Sequence, residues 1–303
     1  HISVSGPAAG LTLIISDAIK GLGTFEAFLL AVSLAGFFQV IIGFLRLGII
    51  GTLFPNSVIK GMLAAIGLIL ILKQIPHALG FTQNFAGDEV FDEADGNNTF
   101  STLVKAFENP LLGSVILSGV AILILLVWET KKIKNSALAK VIPGALVAVV
   151  SGILIQKFIF PYLSLRYSGF ELSEKHLVQL PILDGIKDLN QIFVRPDFSR
   201  INEIAIWKIA GKIALIASIE TLLSLEASDK LDPKKRISPP NLELKAQGIG
   251  NMVSGFIGGL PITAVIVRSS ANVVAGAKSK WSAVFHGVLL LICVLLIPGI
   301  LNM

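Results

Sequence analysis

Three groups of residues have the types and spacing to do chemistry. The first centres on Arg268, within GFIGGLPITAVIVRSSANVVAGA (residues 255–277), which also carries Ser269 and Ser270 between long apolar segments. Gly258, Gly259 and Pro261 do not suit a continuous helix interior. Residues 262–267 therefore read as a short extended piece, and 268–274 as the opening turns of a helix that begins inside the membrane. Such a break frees backbone N–H groups, each costing roughly several kcal/mol in hydrocarbon unless it finds a partner. An anion in a protein-lined cavity is a suitable partner, favoured by the positive end of the helix dipole and by the guanidinium. The alternative is a proline-kinked helix whose arginine reaches the membrane surface.

The second group opens the chain. HISVSGPAAG (residues 1–10) has a polar, β-branched lead, then Gly6 and Pro7, then an apolar helix over 8–19. Proline suits a first helical position because its missing N–H would be unpaired there anyway. A strand-like lead, a break and a short helix thus occur twice, which points to a binding site built from inverted repeats. The third group is Glu220 with Ser224 one turn on, in the middle of an apolar span. An intramembrane carboxylate is a functional hypothesis by default; a structural ion pair, with Arg268 for instance, is the other reading.

The elements that must position these groups are membrane helices. The 303 residues are 53% hydrophobic and 15% charged, too apolar for one soluble domain and suited to a multi-pass membrane protein. Apolar spans fall at 7–19, 25–44, 57–72, 111–128, 141–160, 204–227, 242–257, 267–275 and 282–300, the first and eighth being short, as half-helices should be. Lysines 131, 132, 134 and 140, then Lys230, Lys234, Lys235, Arg236 and Lys245, and finally Lys278 and Lys280, mark cytoplasmic loops. The acidic connection over 80–110, with Asp88, Glu89, Asp92, Glu93 and Asp95, then faces outside. Gly36, Gly43, Gly61, Gly67, Gly144, Gly152, Gly211, Gly248 and Gly250 offer close helix contacts.

Other classes fit less well. The net charge of +5 comes without basic–aromatic interleaving, so no nucleic-acid partner is expected. His77, His176 and His286 lack metal-ligand spacing, so no metal site is expected, and the single Cys293 excludes an internal disulfide. No HExxH, Ser/His arrangement or phosphate loop supports an enzyme. Gln247 and Asn251, one turn apart, read as groups that knit helices together.

HISVSGPAAGL, FPNSVIKGML, IETLLSLEASDKLDPKKRISPPNLELKAQGIGNMVSGFIGGLPIT and VIVRSSANVVAGAKSK together resemble the SulP family of anion transporters, solute carrier family 26 in animals, here of the bacterial sulfate/bicarbonate permease type. The resemblance implies an all-α membrane protein with part of a seven-plus-seven inverted-repeat, uracil-permease-like fold, its two half-helices preceded by short strands. It matches segments three to eleven of fourteen, without the first two, the last three or the STAS domain. It further implies a core domain over 1–50 and 204–303, a gate domain over 51–160, and an extracytoplasmic connection over 161–203. The expected activity is secondary active transport of a small inorganic or carboxylate anion by an elevator movement, in a homodimer of the bacterial inner membrane. Carried over, the anion site comprises Ser5, Gly6, Pro7 and Ala8 with Val267, Arg268 and Ser269. Glu220 and Ser224 stand where relatives couple anion uptake to Na⁺ or H⁺, and no other cofactor is implied. Ala8 and Val267 depart from the bulky aromatic and the serine of several animal members. An uncoupled channel or exchanger and a nucleobase-type symporter on the same fold are the alternatives.

Overall fold

A computed structural model describes residues 2–7, 11–53, 55–81, 98–108, 110–134, 136, 139, 142–164, 170 and 193–301. Asp88, Glu89, Asp92, Glu93 and Asp95 of the 80–110 connection, His176 and most of the 161–203 connection lie outside the described residues. The chain forms two compact units, His1–Ile66 with Ile182–Ile297, and Gly67–Pro181 with Pro298–Met303.

The first unit is built on helix α2, Phe25–Phe44, where Thr24 caps the start by accepting from the Ala27 N–H at 3.4 Å. This helix is apolar on nearly every side, which suits an interior position. Phe28, Leu29, Leu30 and Val32 are enclosed and pack with Ala18 and Leu22 of α1 (Thr12–Leu22). Ile206, Ala210, Ile213 and Ala214 of α8 (Ile204–Leu231) complete that core.

Along its other side α2 crosses α9, Pro240–Ile257, at a distance set by glycines. A Cβ at Gly36 would fall 2.5 Å from the Gly248 carbonyl oxygen and the Met252 nitrogen; one at Gly248 would fall 2.6 Å from the Gly36 oxygen. Gly43 lies against Asn241 and Lys245, and Gly255 against Leu29 and Ser33, so the two helices run antiparallel. Backbones this close exchange dispersion contacts that any larger side chain would prevent. The expectation of close contact holds for Gly36, Gly43, Gly144, Gly248 and Gly250, whereas Gly61, Gly67, Gly152 and Gly211 face open space.

Two short strands, β1 (Ser5–Pro7) and β2 (Ile262–Ala264), pair antiparallel with Ser5 opposite Ala264, Gly6 opposite Thr263 and Pro7 opposite Ile262. After β2 the chain enters α10, Ile266–Val274, and later α11, Trp281–Leu296, no residue of which is buried. The boundaries differ from expectation in two places. The second half-helix starts at Ile266 rather than 268, so Arg268 lies within its first turn. Pro7 belongs to the strand instead of heading the helix; α1 proper begins at Thr12. Proline is tolerated there because the ribbon has only two strands and Pro7 is at its end.

The second unit contains α4 (Thr99–Glu108), α5 (Leu112–Trp128), α6 (Gly144–Leu154) and α7 (Phe160–Ser164), together with the second half of α3 (Asn56–Ala78), from Gly67 on. Between α6 and α7 the helix widens into a π turn at Ile155–Ile159, with the Phe160 N–H reaching back to the Ile155 carbonyl. Pro161 follows directly and has no N–H to continue the regular ladder.

By length and apolarity alone, Phe25–Phe44 and Gly144–Ser164 are sufficient to cross a membrane, and Trp281–Leu296 is a shorter apolar helix. Among the described residues, that is fewer than the nine spans read from hydropathy. The physical reason is visible in α8, which carries Lys208, Lys212, Glu220 and Glu226, and in α9, which carries Glu243, Gln247 and Asn251. Of these, Glu243, Gln247 and Asn251 bond to the ribbon and its lead, while Glu226 pairs with Lys230 at 2.9 Å.

Candidate functional site

The site grows out of the ribbon. Val265 N donates to the Val4 carbonyl at 3.0 Å, and Val4 N donates to Ser269 Oγ at 3.0 Å, so the lead of β1 is fastened to the first turns of α10. Ser269 is fully buried, and its hydroxyl proton goes to the Val265 carbonyl at 2.7 Å. Its side chain therefore positions the strand and has no proton left for a ligand. From α8, Thr221 Oγ1 accepts from the Ala264 N–H at 3.4 Å.

A polar stripe on α9 runs along the other side of the ribbon. Glu243, Gln247 and Asn251 are four residues apart, about 6 Å per step along one helix face. Ser3 and Ser5 are two residues apart on extended backbone, about 6.7 Å. The spacings match: Ser3 Oγ donates to Glu243 Oε1 at 3.4 Å and Ser5 Oγ to Gln247 Oε1 at 3.0 Å. Asn251 acts as a substitute strand, accepting from Ile262 N at 2.6 Å while its Nδ2 donates to the Ile262 carbonyl at 3.0 Å and to Gln39 Oε1 at 2.6 Å. The knitting role expected of Asn251 is thus observed, joining α9 to β2 and α2. Gln247 does something different. It is buried, and its Nε2 has no hydrogen-bond partner.

Arg268 projects from the first turn of α10 across the ribbon. A Cβ added at Gly6 would lie 2.7 Å from Arg268 Nη1 and 3.1 Å from Cζ, so the absent side chain of Gly6 is the space the guanidinium occupies. Among the described residues Arg268 makes no hydrogen bond or ion pair, and the N–H groups of 266–268 have no partner either. Ser5, Pro7, Val267 and Arg268 are exposed together around the buried Gly6. The arrangement sets a cation beside an unsatisfied helix N-terminus, groups that stabilise negative charge, while the Ser5 hydroxyl is turned to Gln247. Of the residues expected in the site, Ser5, Gly6, Pro7, Val267 and Arg268 come together here and Ser269 lies beneath them; Ala8 lies outside the described residues. Glu220 and Ser224 lie on α8, on either side of Thr221 in sequence, in the part of the unit where α8 packs on β2 and α10.

Two clamps secure the far ends of the half-helices, and neither was foreseen. Beyond α1, Arg200 donates to the Leu22 carbonyl at 3.0 Å and to Thr24 Oγ1 at 3.1 Å, while holding Glu203 at 2.5 and 2.6 Å. Beyond α10, Arg236 donates to the Lys278 carbonyl at 2.6 Å and the Ala277 carbonyl at 3.3 Å, while holding Asp232 at 2.5 and 3.0 Å. The Arg236 bond keeps the Asp232 carboxyl well below the usual carboxylate range, and Arg200 lowers that of Glu203. Arg200 thus meets the last carbonyl of α1, where the dipole is negative, and Arg236 meets carbonyls three and four residues past the end of α10. The sequence signals were modest, an Arg–Glu pair three apart and an Asp–Arg pair four apart.

A broken pair of helices whose starts meet at a two-stranded ribbon defines a class by its fold, the inverted-repeat membrane proteins. Residues 1–303 match the model of the sulfate permease family, and the chain belongs to that family. It is 30% identical over 266 residues to the bicarbonate transporter BicA of Picosynechococcus sp. (strain ATCC 27264 / PCC 7002 / PR-6), covering 87% of this chain and 42% of the relative. It is 28% identical over 293 residues to YvdB of Bacillus subtilis (strain 168), provisionally named a sulfate transporter, covering 96% of this chain and 50% of the relative. The chain thus spans half or less of the length of these relatives. Among solved structures, the transmembrane domain of a cyanobacterial bicarbonate transporter BicA superposes with a TM-score of 0.60 at 22% identity, over 99% of this chain and 71% of that one. The overall structure of SLC26A9 superposes with a TM-score of 0.62 at 18% identity, over 100% of this chain and 47% of that one. These likenesses establish the fold.

Proposed function

We propose that this protein moves a small anion, sulfate, bicarbonate or a related species, across the membrane as a secondary active transporter. The observation that carries the reading is the Arg268 guanidinium lying over Gly6, beside a first helical turn with free N–H groups. Long-range attraction from the arginine and directional N–H donors would together replace water around the anion. Ser5, Gly6, Pro7 and Val267 around Arg268 include no aromatic or carboxylate group to grip a nucleobase ring, which suits a compact anion better. The names of the relatives support an anion and a transporter rather than an enzyme. In this reading the core over 1–50 and 204–303 carries the anion past the gate over 51–160 by an elevator movement, in a homodimer of the inner membrane. Glu220 and Ser224 couple the movement to Na⁺ or H⁺.

The test is uptake of radiolabelled sulfate and bicarbonate by the intact protein in liposomes, with and without ion gradients. Arg268→Ala is expected to raise KM about tenfold or more, the loss of a charge-assisted hydrogen bond. Unchanged affinity at full rate would remove Arg268 from the site. Glu220→Gln is expected to leave anion binding largely intact while uptake ceases to respond to the cation gradient. A mutant that follows the gradient like the wild type would assign the coupling elsewhere. Wild-type uptake that ignores every cation gradient would identify an uncoupled exchanger or channel.

A further inference from the structure

We propose that this chain carries a second binding site, beside α8, for a phospholipid whose head bears a primary ammonium group. The site is a cavity of about 500 Å³ between α8, the loop leading into α9 and a short 3₁₀ helix at Leu47–Leu53, all within the first unit. That volume suits a small organic ligand, or a lipid head with the first carbons of its chains. Close contacts at the edges shape it. Gly48 N donates to Asn241 Oδ1 at 2.8 Å, and a Cβ at Gly51 would lie 3.1 Å from Leu222 Cβ, so the 3₁₀ helix is seated on both α8 and α9. Leu222, Leu225, Ile237 and Pro240 then give the cavity apolar walls.

Most polar groups that line the cavity are committed elsewhere. Asp229 accepts from Ser238 N at 2.7 Å and from Ser238 Oγ at 2.8 Å. Lys230 pairs with Glu226 Oε1 at 2.9 Å, and Arg236 is held by Asp232 and by the carbonyls of Ala277 and Lys278. Two lining groups remain, one of each sign. Glu226 Oε2 is buried with no hydrogen-bond partner, and Lys235 has no ion-pair partner among the described residues. A buried carboxylate oxygen without a donor is costly, so it calls for an N–H or O–H. Lys235 adopts φ +50°, a conformation that residues with a side chain rarely take. Asp232 holds that turn, its carboxylate accepting from Lys234 N at 3.1 Å and Arg236 N at 3.2 Å and its carbonyl from Lys235 N at 2.9 Å. The loop thus sets an ammonium at the cavity. A head-group phosphate meets Lys235 while the ammonium of the same head donates to Glu226 Oε2, the two poles of a zwitterion matched by two groups of opposite sign. The border is apolar, with Ile49, Leu53 and Ile237 exposed by 62, 72 and 85%, which suits acyl chains. A choline head has no N–H to give and would leave Glu226 Oε2 unpaired.

The experiment is native mass spectrometry of the intact protein released from detergent, titrated with phosphatidylethanolamine or with phosphatidylcholine of the same chains. Wild type is expected to bind the ethanolamine lipid about tenfold more tightly or better, the worth of a charge-assisted hydrogen bond. Glu226→Gln is expected to bring the two affinities within about twofold of each other, by weakening the ethanolamine lipid and sparing the choline lipid. Lys235→Gln is expected to weaken both lipids alike, by about fivefold at an exposed cation, because both carry the phosphate. Soluble glycerophosphoethanolamine, the head without its chains, is expected not to displace the lipid at equal concentration. Equal binding of the two lipids by wild type would overturn the proposal. A preference that survives Glu226→Gln, or wild-type affinities in Lys235→Gln, would overturn it as well. Displacement by the soluble head would assign the cavity to a free zwitterion and defeat the lipid reading. If Glu226→Gln does not fold, the wild-type preference and Lys235→Gln decide. None of these measurements passes through Arg268, so their failure leaves the proposed transport function standing, and failure of that function leaves this site standing.

Discussion

Arg268 lies over the ribbon because residue 6 has no side chain, so a single hydrogen atom at Gly6 decides where the positive charge sits. Gly6→Ala would place a methyl 2.7 Å from Nη1 and 3.1 Å from Cζ, and the flexible end of the arginine would move rather than the ribbon. The expected result is a KM about tenfold higher with an unchanged melting temperature, measured by uptake and by thermal unfolding in detergent. A coincident fall in both would mean that the strand pair, and not the guanidinium, had been disturbed. Arg268, Ser5 and Gly6 were legible as candidates from residue type and from the break in hydrophobicity. That Ser269 is consumed by Val4 and Val265 was not, because a hydroxyl next to an arginine in sequence looks like a ligand until its proton is traced. The Gln247 amide was legible only as a polar residue on an apolar face; its partner lies 242 residues away.

At the level of elements, the ribbon is held by α9, and α9 is held by α2 through Gly36, Gly43, Gly248 and Gly255. A side chain at Gly248 would meet the Gly36 carbonyl and the Val40 backbone nitrogen, neither of which can step aside. Gly248→Leu is therefore expected to destabilise the protein by about 3 kcal/mol, seen as a clear drop in melting temperature, and to abolish transport by moving the stripe off the ribbon. Gly61→Leu, with nothing within 4 Å, is expected to leave the melting temperature near that of wild type. Equal melting of the two variants would show that the glycine crossing is not what fixes the distance between α2 and α9. The helices themselves followed from the hydrophobic runs; α2 begins and ends where its pattern does. Half-helix starts were displaced by a few residues, because β-branched Ile266 and Val267 suggest strand while the free N–H groups and the packing of Ile266 and Ser269 select helix.

For the whole molecule, basic loops and the family fold together make orientation a testable property. Cysteines introduced at Lys132 and Lys278 in a Cys293→Ser background are expected to react with a membrane-impermeant thiol reagent in inside-out vesicles and not in intact cells. Labelling from the outside would reverse the orientation. Composition, the two broken stretches and the excess of lysine in alternating loops were sufficient to point to a multi-pass membrane protein built around two broken helices. They act locally, through the cost of unpaired backbone in lipid and of charge crossing it, so they are written in consecutive residues. Tertiary structure alone decided that Ser5 faces Ala264, that Arg268 lies on Gly6, and that Arg200 and Arg236 close the ends of the two half-helices. Those relations join residues tens to hundreds of positions apart. No local preference encodes them; they follow from which backbones can approach once the glycine-lined helices have packed.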